Sequence, residues 1–246
     1  MTLDPLALSV AVVAVSVGAF VRGYSGFGSS LIWISGMSIV FAPVVVVPAV
    51  YLLELIASAR LVPTVWRKAD WHSLRWLILG ACLGLPPGIY LLSALPPGPV
   101  RVAIALIVIG ATIALSRGFT LKSVPGAAPT ALIGATSGFL NGWTGIGGPP
   151  VILFYFSSPV PVAVSRASLI VILFTLDIFS LTLAWAQALV TTEVLVLAAV
   201  LSVPVVIGIS LGHRRFIQTP PETFRRFVVV LLGLLSLGVL ARAILG

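Results

Sequence analysis

Charge is what this sequence has least of. Asp, Glu, Lys and Arg make up 8% of its 246 residues, where a soluble domain carries roughly a quarter. With 59% of residues hydrophobic, a soluble fold would leave large apolar patches facing water. A soluble enzyme or binding domain is therefore excluded. Cysteine is nearly absent too. The single Cys82 lies in an apolar run, so there is no disulfide framework, and a lone buried Cys most often fills space. Histidine occurs only as His72 and His213. There is no H-E-x-x-H and no Cys/His cluster, so neither a metal nor a cofactor is expected. The first five residues hold an acid and no base, unlike a signal peptide, so the first apolar run is expected to be retained.

What is present is lipid-facing sequence. Mean hydropathy is +1.21, and the apolar runs follow one another with no water-soluble domain between them. The net charge of +8 sits mostly in short breaks between runs, the positive-inside pattern of membrane loops. No extended basic face exists for a phosphate backbone to follow, so the partners expected are the lipid bilayer and a small solute, not nucleic acid. Ten apolar runs are predicted. They are Leu6–Val21, Phe27–Phe41, Val44–Val65, Leu74–Leu95 and Val100–Leu115, then Pro129–Leu140, Ile146–Phe156, Pro161–Ala188, Val194–Leu211 and Phe227–Leu245. Crossing the hydrocarbon core takes about 20 residues of helix. Pro129–Leu140 and Ile146–Phe156 fall well short, which predicts a re-entrant hairpin or a broken helix. Such irregular backbone survives in a membrane only where protein or a wet cavity satisfies it.

An internal repeat organises these runs. The octet Arg22-Gly23-Tyr24-Ser25-Gly26-Phe27-Gly28-Ser29 matches Asn141-Gly142-Trp143-Thr144-Gly145-Ile146-Gly147-Gly148, 119 residues later. Further on, Gly84, Gly88, Pro96, Pro97 and Arg101 match Gly208, Gly212, Pro220, Pro221 and Arg225, at a shift of 124. Two matches in the same order at nearly the same shift argue for duplication, with residues 1–122 as one repeat and 123–246 as the other. Each half has an odd number of segments, so the second copy should sit upside down. The fold expected is an all-α polytopic membrane protein of two inverted-topology repeats. Each repeat has a glycine-broken helical hairpin, with its break at 22–29 or 141–148, plus about three spanning helices. Arg67, Lys68, His72, Arg117, Lys122 and His213-Arg214-Arg215 then fall on one side, the cytoplasm. Both termini are placed in the periplasm.

Inverted repeats are a common transporter architecture, with the site near the midplane where broken helices meet. A broken helix offers unpaired N–H groups and a favourable dipole to an anion at its N-terminus. Glycine in each octet allows tight turns and close approach, while Ser25, Thr144, Ser29 and Ser30 add hydroxyl donors. The ligand expected is a small anion.

The paired glycine-rich octets, and above all the second with its continuation Pro149-Pro150, resemble the TauE/SafE sulfite exporter family, also called the toluene-sulfonate uptake permease group. The resemblance spans nearly the whole chain in length, duplication and motif placement. The first octet differs in running into Ser29-Ser30 where glycine is expected. Membership implies movement of sulfite, organosulfonates or related sulfur-containing anions across a bacterial-type inner membrane.

The substrate-binding candidates are Arg22, Gly23, Tyr24, Ser25, Gly26, Gly28 and Ser29 in the first half. In the second they are Asn141, Gly142, Trp143, Thr144, Gly145, Gly147, Gly148 and Arg166. Glycines in membrane helices also serve close packing. Arg22 either contacts the anion or snorkels to the interface. Arg166, shortly after Pro159 and Pro161, fits an interfacial anchor as well as an anion contact. Tyr24 and Trp143 fit a cavity wall or an interfacial belt. Glu54 and Asp177 lie inside apolar runs, where an acid is costly and usually functional. They are candidates for ion coupling, and the bland alternative for Glu54 is a pair with Arg60. Glycine-rich faces also permit homo-oligomers.

Two other classes compete. Gly23-Tyr24-Ser25-Gly26 fits the G-x-S-G pattern of intramembrane serine proteases, but its serine needs a histidine base. Both histidines fall in basic loop segments, far from a mid-membrane serine. A non-transporting assembly subunit would have no use for two matched anion-binding breaks.

Overall fold

Backbone polar groups have no water to turn to in hydrocarbon, which leaves helix as the economical answer to runs of Leu, Val, Ile and Ala. A computed structural model gives the fold of residues 5–96, 98–100 and 123–218, with isolated positions 102, 103, 106, 110, 113, 121 and 230. Every regular element among the described residues is helical. In chain order these are α1 (Pro5–Ser25), α2 (Ser29–Met37), α3 (Pro43–Val65) with a 3-10 turn at Trp66–Lys68, and α4 (Trp71–Ala94). The second half gives α5 (Ala127–Thr144), α6 (Gly148–Ser157), α7 (Val162–Ala186) and α8 (Thr192–Ile217). Five of them, α1, α3, α4, α7 and α8, are long and apolar enough to cross a membrane. The runs expected at Val100–Leu115 and Phe227–Leu245 lie largely outside the described residues. So do Pro97, Arg101, Arg117, Lys122, Pro220, Pro221, Arg225 and both termini.

Local chemistry sets the helix ends. Pro43 occupies the first turn of α3, where its missing N–H is no loss. Asp70 caps α4 by accepting from the Ser73 amide at 3.2 Å, and Thr191 caps α8 by accepting from Val194 at 3.4 Å. The two breaks are narrower than the octets suggest. Arg22 to Ser25 still belong to α1 and Asn141 to Thr144 to α5. Positive φ angles at Gly26 (84°), Gly28 (89°) and Gly145 (73°) turn the chain, a conformation that glycine adopts at little cost.

The lengths also differ from expectation. α5 has 18 residues, longer than the run Pro129–Leu140, because polar Asn141 and its neighbours remain helical. α2 keeps only nine residues of Phe27–Phe41, since the chain turns at Ser38–Val40 ahead of Pro43. α1 and α2 form a hairpin. The Trp33 indole donates to the Val15 carbonyl at 3.0 Å, so α2 doubles back along α1. In the second half the chain has already turned by Gly147, whose carbonyl accepts from Ser137, two turns back along α5, at 2.5 Å.

Glycine decides which helices touch. α4 lies along α5, and α1 lies along α8. On the first face Gly80, Gly84 and Gly88 of α4 and Gly134, Gly138 and Gly142 of α5 each meet the backbone of the partner helix. A Cβ at Gly80 would stand 1.8 Å from the Ala131 carbonyl oxygen, and one at Gly134 would stand 2.1 Å from that of Leu77. On the second face a Cβ at Gly23 would come within 2.3 Å of Ile209 O, and one at Gly212 within 2.1 Å of Phe20 O. These are backbone-to-backbone contacts of the small-residue kind. Between the two pairs, α3 packs on α7, while α3 also touches α8 and α4 also touches α7.

Candidate functional site

Two side chains on α3, one turn apart and both buried, face the first break. Glu54 and Ser58 share a helix face by their spacing of four. Arg22, in the last turn of α1, reaches both. Its Nη2 donates to Ser58 Oγ at 2.8 Å and stands 3.3 Å from Glu54 Oε2. The first residue of α2 completes this corner, the Ser29 hydroxyl donating to Glu54 Oε1. Arg22 is 1% exposed and Glu54 3%, so the pair is desolvated. The pairing of Glu54 with Arg60 does not occur. Six residues of helix rotate the chain by about 240° beyond a full turn, and Arg60 is exposed on another face.

The second break reaches the same two helices. Asn141 stands in its octet where Arg22 stands in the first. Its Nδ2 donates to Ser180 of α7 at 2.9 Å, and its Oδ1 accepts from the Gly147 amide at 3.0 Å. The Tyr51 hydroxyl of α3 donates to the Asn141 carbonyl at 2.6 Å. Asp177, buried on α7, lies beside Asn141 and within electrostatic reach of both Arg22 and Glu54. Tyr51, Glu54 and Ser58 therefore bring both tips to one stretch of α3. The tips touch as well: Phe27 packs edge-on against Phe156 of α6 at 5.8 Å, and Gly145 sits against Ile34 of α2.

Ser25 and Thr144, expected as ligand donors, hold their own breaks together. Ser25 Oγ lies 2.7 Å from the Val21 carbonyl and 2.6 Å from that of Phe27, and it accepts from the Phe27 amide at 3.3 Å. Thr144 repeats the pattern, donating to the Leu140 carbonyl at 2.8 Å and accepting from the Ile146 amide at 3.3 Å. Gly23 and Gly142 are helical packing positions, and Gly26, Gly28 and Gly145 are the turning ones. Gly147 and Gly148 join the turn to α6. The helix starts are unequal. Pro149 and Pro150 remove two N–H donors from the first turn of α6, while α2 opens on Ser29-Ser30-Leu31 with every amide intact.

Arg166 is not an interfacial anchor. It is 2% exposed, with Nε donating to the Tyr24 carbonyl at 3.1 Å and Nη2 to that of Gly23 at 2.7 Å. Its charge thus meets the last carbonyls of α1, where a helix dipole favours a cation. The guanidinium also stacks over Phe216 at 3.9 Å and lies 3.5 Å from His213 Nδ1. Tyr24 is buried and packs edge-on against Phe216. Trp143 is half-buried against Phe139. His72 contacts Arg75 on the surface. The hydrogen bonds of Ser25 run to backbone atoms, and His213 is engaged with Arg166, so no serine–histidine couple forms among the described residues. A cavity of about 360 Å³ opens at the α6–α7 turn, lined in part by Tyr155, Phe156, Ser157, Ser158 and Ser165.

Sequence reasoning does not pick out Tyr51, Ser58, Ser137 or Ser180. Ser58 follows Glu54 by four residues and Ser180 follows Asp177 by three. A hydroxyl one turn from an intramembrane acid is the pattern that could have found both.

The family model described as sulfite exporter TauE/SafE matches residues 10–239. A protein of Cupriavidus necator named "Probable sulfite/organosulfonate exporter TauE" is 30% identical over 228 residues, covering 88% of each chain. No solved structure matches. The chain belongs to the sulfite exporter TauE/SafE family, a family of membrane transporters and not of enzymes.

Proposed function

We propose that the protein carries sulfite, an organosulfonate or a related sulfur-containing anion across a bacterial-type inner membrane, at a site between the two hairpin tips. The observation that carries this reading is the buried guanidinium of Arg22. It sits where both tips meet α3, and its Nε has no hydrogen-bond partner among the described residues. A buried donor of this kind favours an anionic acceptor. Arg22 and the first-turn amides of α2 supply the positive wall, and Asn141 with the second tip forms the facing wall. Ser25, Thr144 and the turning glycines shape the breaks that hold these groups in place.

The halves are read as inverted copies. Three features support that. Each hairpin packs by glycine on a long helix of the other half, Ser25 and Thr144 bond alike, and Arg22 and Asn141 each reach a serine on a long helix. The name of the Cupriavidus necator relative supports the substrate class.

Counterflow in proteoliposomes tests the reading. Vesicles preloaded with unlabelled sulfite or isethionate should accumulate the labelled anion above protein-free vesicles. Asn141→Asp, which adds a negative charge to the wall, should lower apparent affinity by about tenfold or more. Flux no greater than in protein-free vesicles for both anions overturns the proposal.

A further inference from the structure

Among the described residues two buried acids lie inside the membrane-spanning helices, and only one has a counter-charge at hand. Glu54 stands 3.3 Å from Arg22 and accepts from Ser29. Asp177 is 5% exposed and feels both Glu54 and Arg22, yet among the described residues no cation comes within ion-pair distance of it. Around it α1 brings Arg22, α3 brings Glu54 and the Tyr51 hydroxyl, and α5 brings Asn141. On α7 itself Ser180 lies one turn on, while Arg166, three turns back, is bonded to the carbonyls of Gly23 and Tyr24. His213 of α8 faces Arg166.

The charge count in this cluster is unequal. With both acids ionised, two negative charges face the single positive charge of Arg22. An arriving anion adds a third to a desolvated site, where each uncompensated charge is strongly penalised. Glu54 already has a counter-charge in Arg22 and a hydroxyl donor in Ser29. Asp177 is the group left to relieve the excess.

We propose that Asp177 holds a proton whenever the anion is bound, so that anion and proton cross together. This rests on the anion-transport reading above, and it adds the coupling ion and the residue that carries it.

The probe is isethionate, a sulfonate that stays a monoanion across the working pH range, whereas sulfite itself titrates there. Calorimetric titration of the purified protein, in two buffers of different ionisation enthalpy, reads the protons taken up per anion. Uptake should rise with pH to about one proton per anion as the empty site loses its own proton, with affinity falling up to about tenfold per pH unit over the same range. Asp177→Asn mimics the protonated acid. It should take up no proton and bind with an affinity that changes less than about twofold across the same range. Infrared difference spectra of the unmodified protein give a second readout, a protonated-carboxyl band gained on binding, should the variant fail to fold. Isethionate binding without proton uptake at any pH, or uptake that survives in Asp177→Asn, overturns the coupling while leaving transport standing. Absence of sulfite and isethionate binding at every pH removes the transport reading, and the coupling with it.

Discussion

Replacing Arg22 by Met strands the Glu54 carboxylate. At 3% exposure it keeps only the Ser29 hydroxyl, and removing one partner of a buried pair destabilises by about 3–5 kcal/mol. Glu54→Gln strands the guanidinium in the same way, with Ser58 as its remaining hydrogen-bond partner. The double variant Arg22→Met/Glu54→Gln has no charge left to strand. Met follows the path of the arginine stem, and the Gln carbonyl still accepts from Ser29. Replacing both members of a buried pair at similar volume is often neutral, so the double variant should be more stable than either single one. For a chain of this size each kcal/mol moves the melting temperature by about 2–4 °C, so the single variants should melt about 6–20 °C early. Thermal unfolding in detergent, followed by the fluorescence of the six tryptophans, measures all four proteins. The reasoning fails if Arg22→Met melts within about 2 °C of the parent. It fails equally if the losses of the single variants simply add in the double variant.

Two further outcomes test the frame around the site. A Cβ at Gly84 would stand 2.0 Å from the Ala135 carbonyl oxygen, whereas one at Gly98 meets nothing within 4 Å. Gly84→Ala should therefore cost about 1–3 kcal/mol in the same melting assay, with Gly98→Ala close to the parent, and equal melting of the two would refute the backbone contact. Single cysteines replacing Arg67 and Arg214 in a variant lacking Cys82 should resist an impermeant thiol reagent in intact cells and react after permeabilisation. Ready labelling from outside would overturn the assigned orientation.

Hydropathy made the long helices legible, because lipid imposes one answer on a long apolar run. The run Val44–Val65 becomes α3 at Pro43–Val65 with hardly a change. The same measure misjudges α2. It counts Phe27 and Ile39–Phe41 as span, while Gly28 at φ 89° and the turn before Pro43 decide where the helix starts and stops. Glycine density misleads in the opposite sense. Gly23 looks like a turn in sequence, yet it is helical, and it is glycine because Ile209 of α8 leaves no room for a Cβ. That reason lies 186 residues away and has no local signature. The octets contain both turns, at Gly26–Gly28 and at Gly145, with Arg22 and Asn141 still helical just before them. What they could not reveal is the partner of each. Arg22 meets Glu54 across 32 residues, a pairing fixed by how α1 crosses α3 and not by helical spacing.

That crossing also explains why the site is held by both halves at once. Tip 1 ends a helix that lies backbone to backbone against α8, and tip 2 ends a helix that lies in the same way against α4. Such contacts have no side chain between them that could reorient, so α1 is tied to α8 and α5 to α4. The rigid neighbours of each tip therefore belong to the opposite half of the sequence. α3 and α7 stand between these two pairs and carry every acid and hydroxyl that the tips touch on a long helix: Tyr51, Glu54 and Ser58 from one, Asp177 and Ser180 from the other. Neither half alone could build this arrangement, since the first supplies Arg22, Glu54 and Ser29 and the second supplies Asn141, Asp177 and the carbonyl-capping Arg166. The exchange of glycine faces between the halves ties the two hairpins, with Arg22 and Asn141 at their ends, into one packed arrangement.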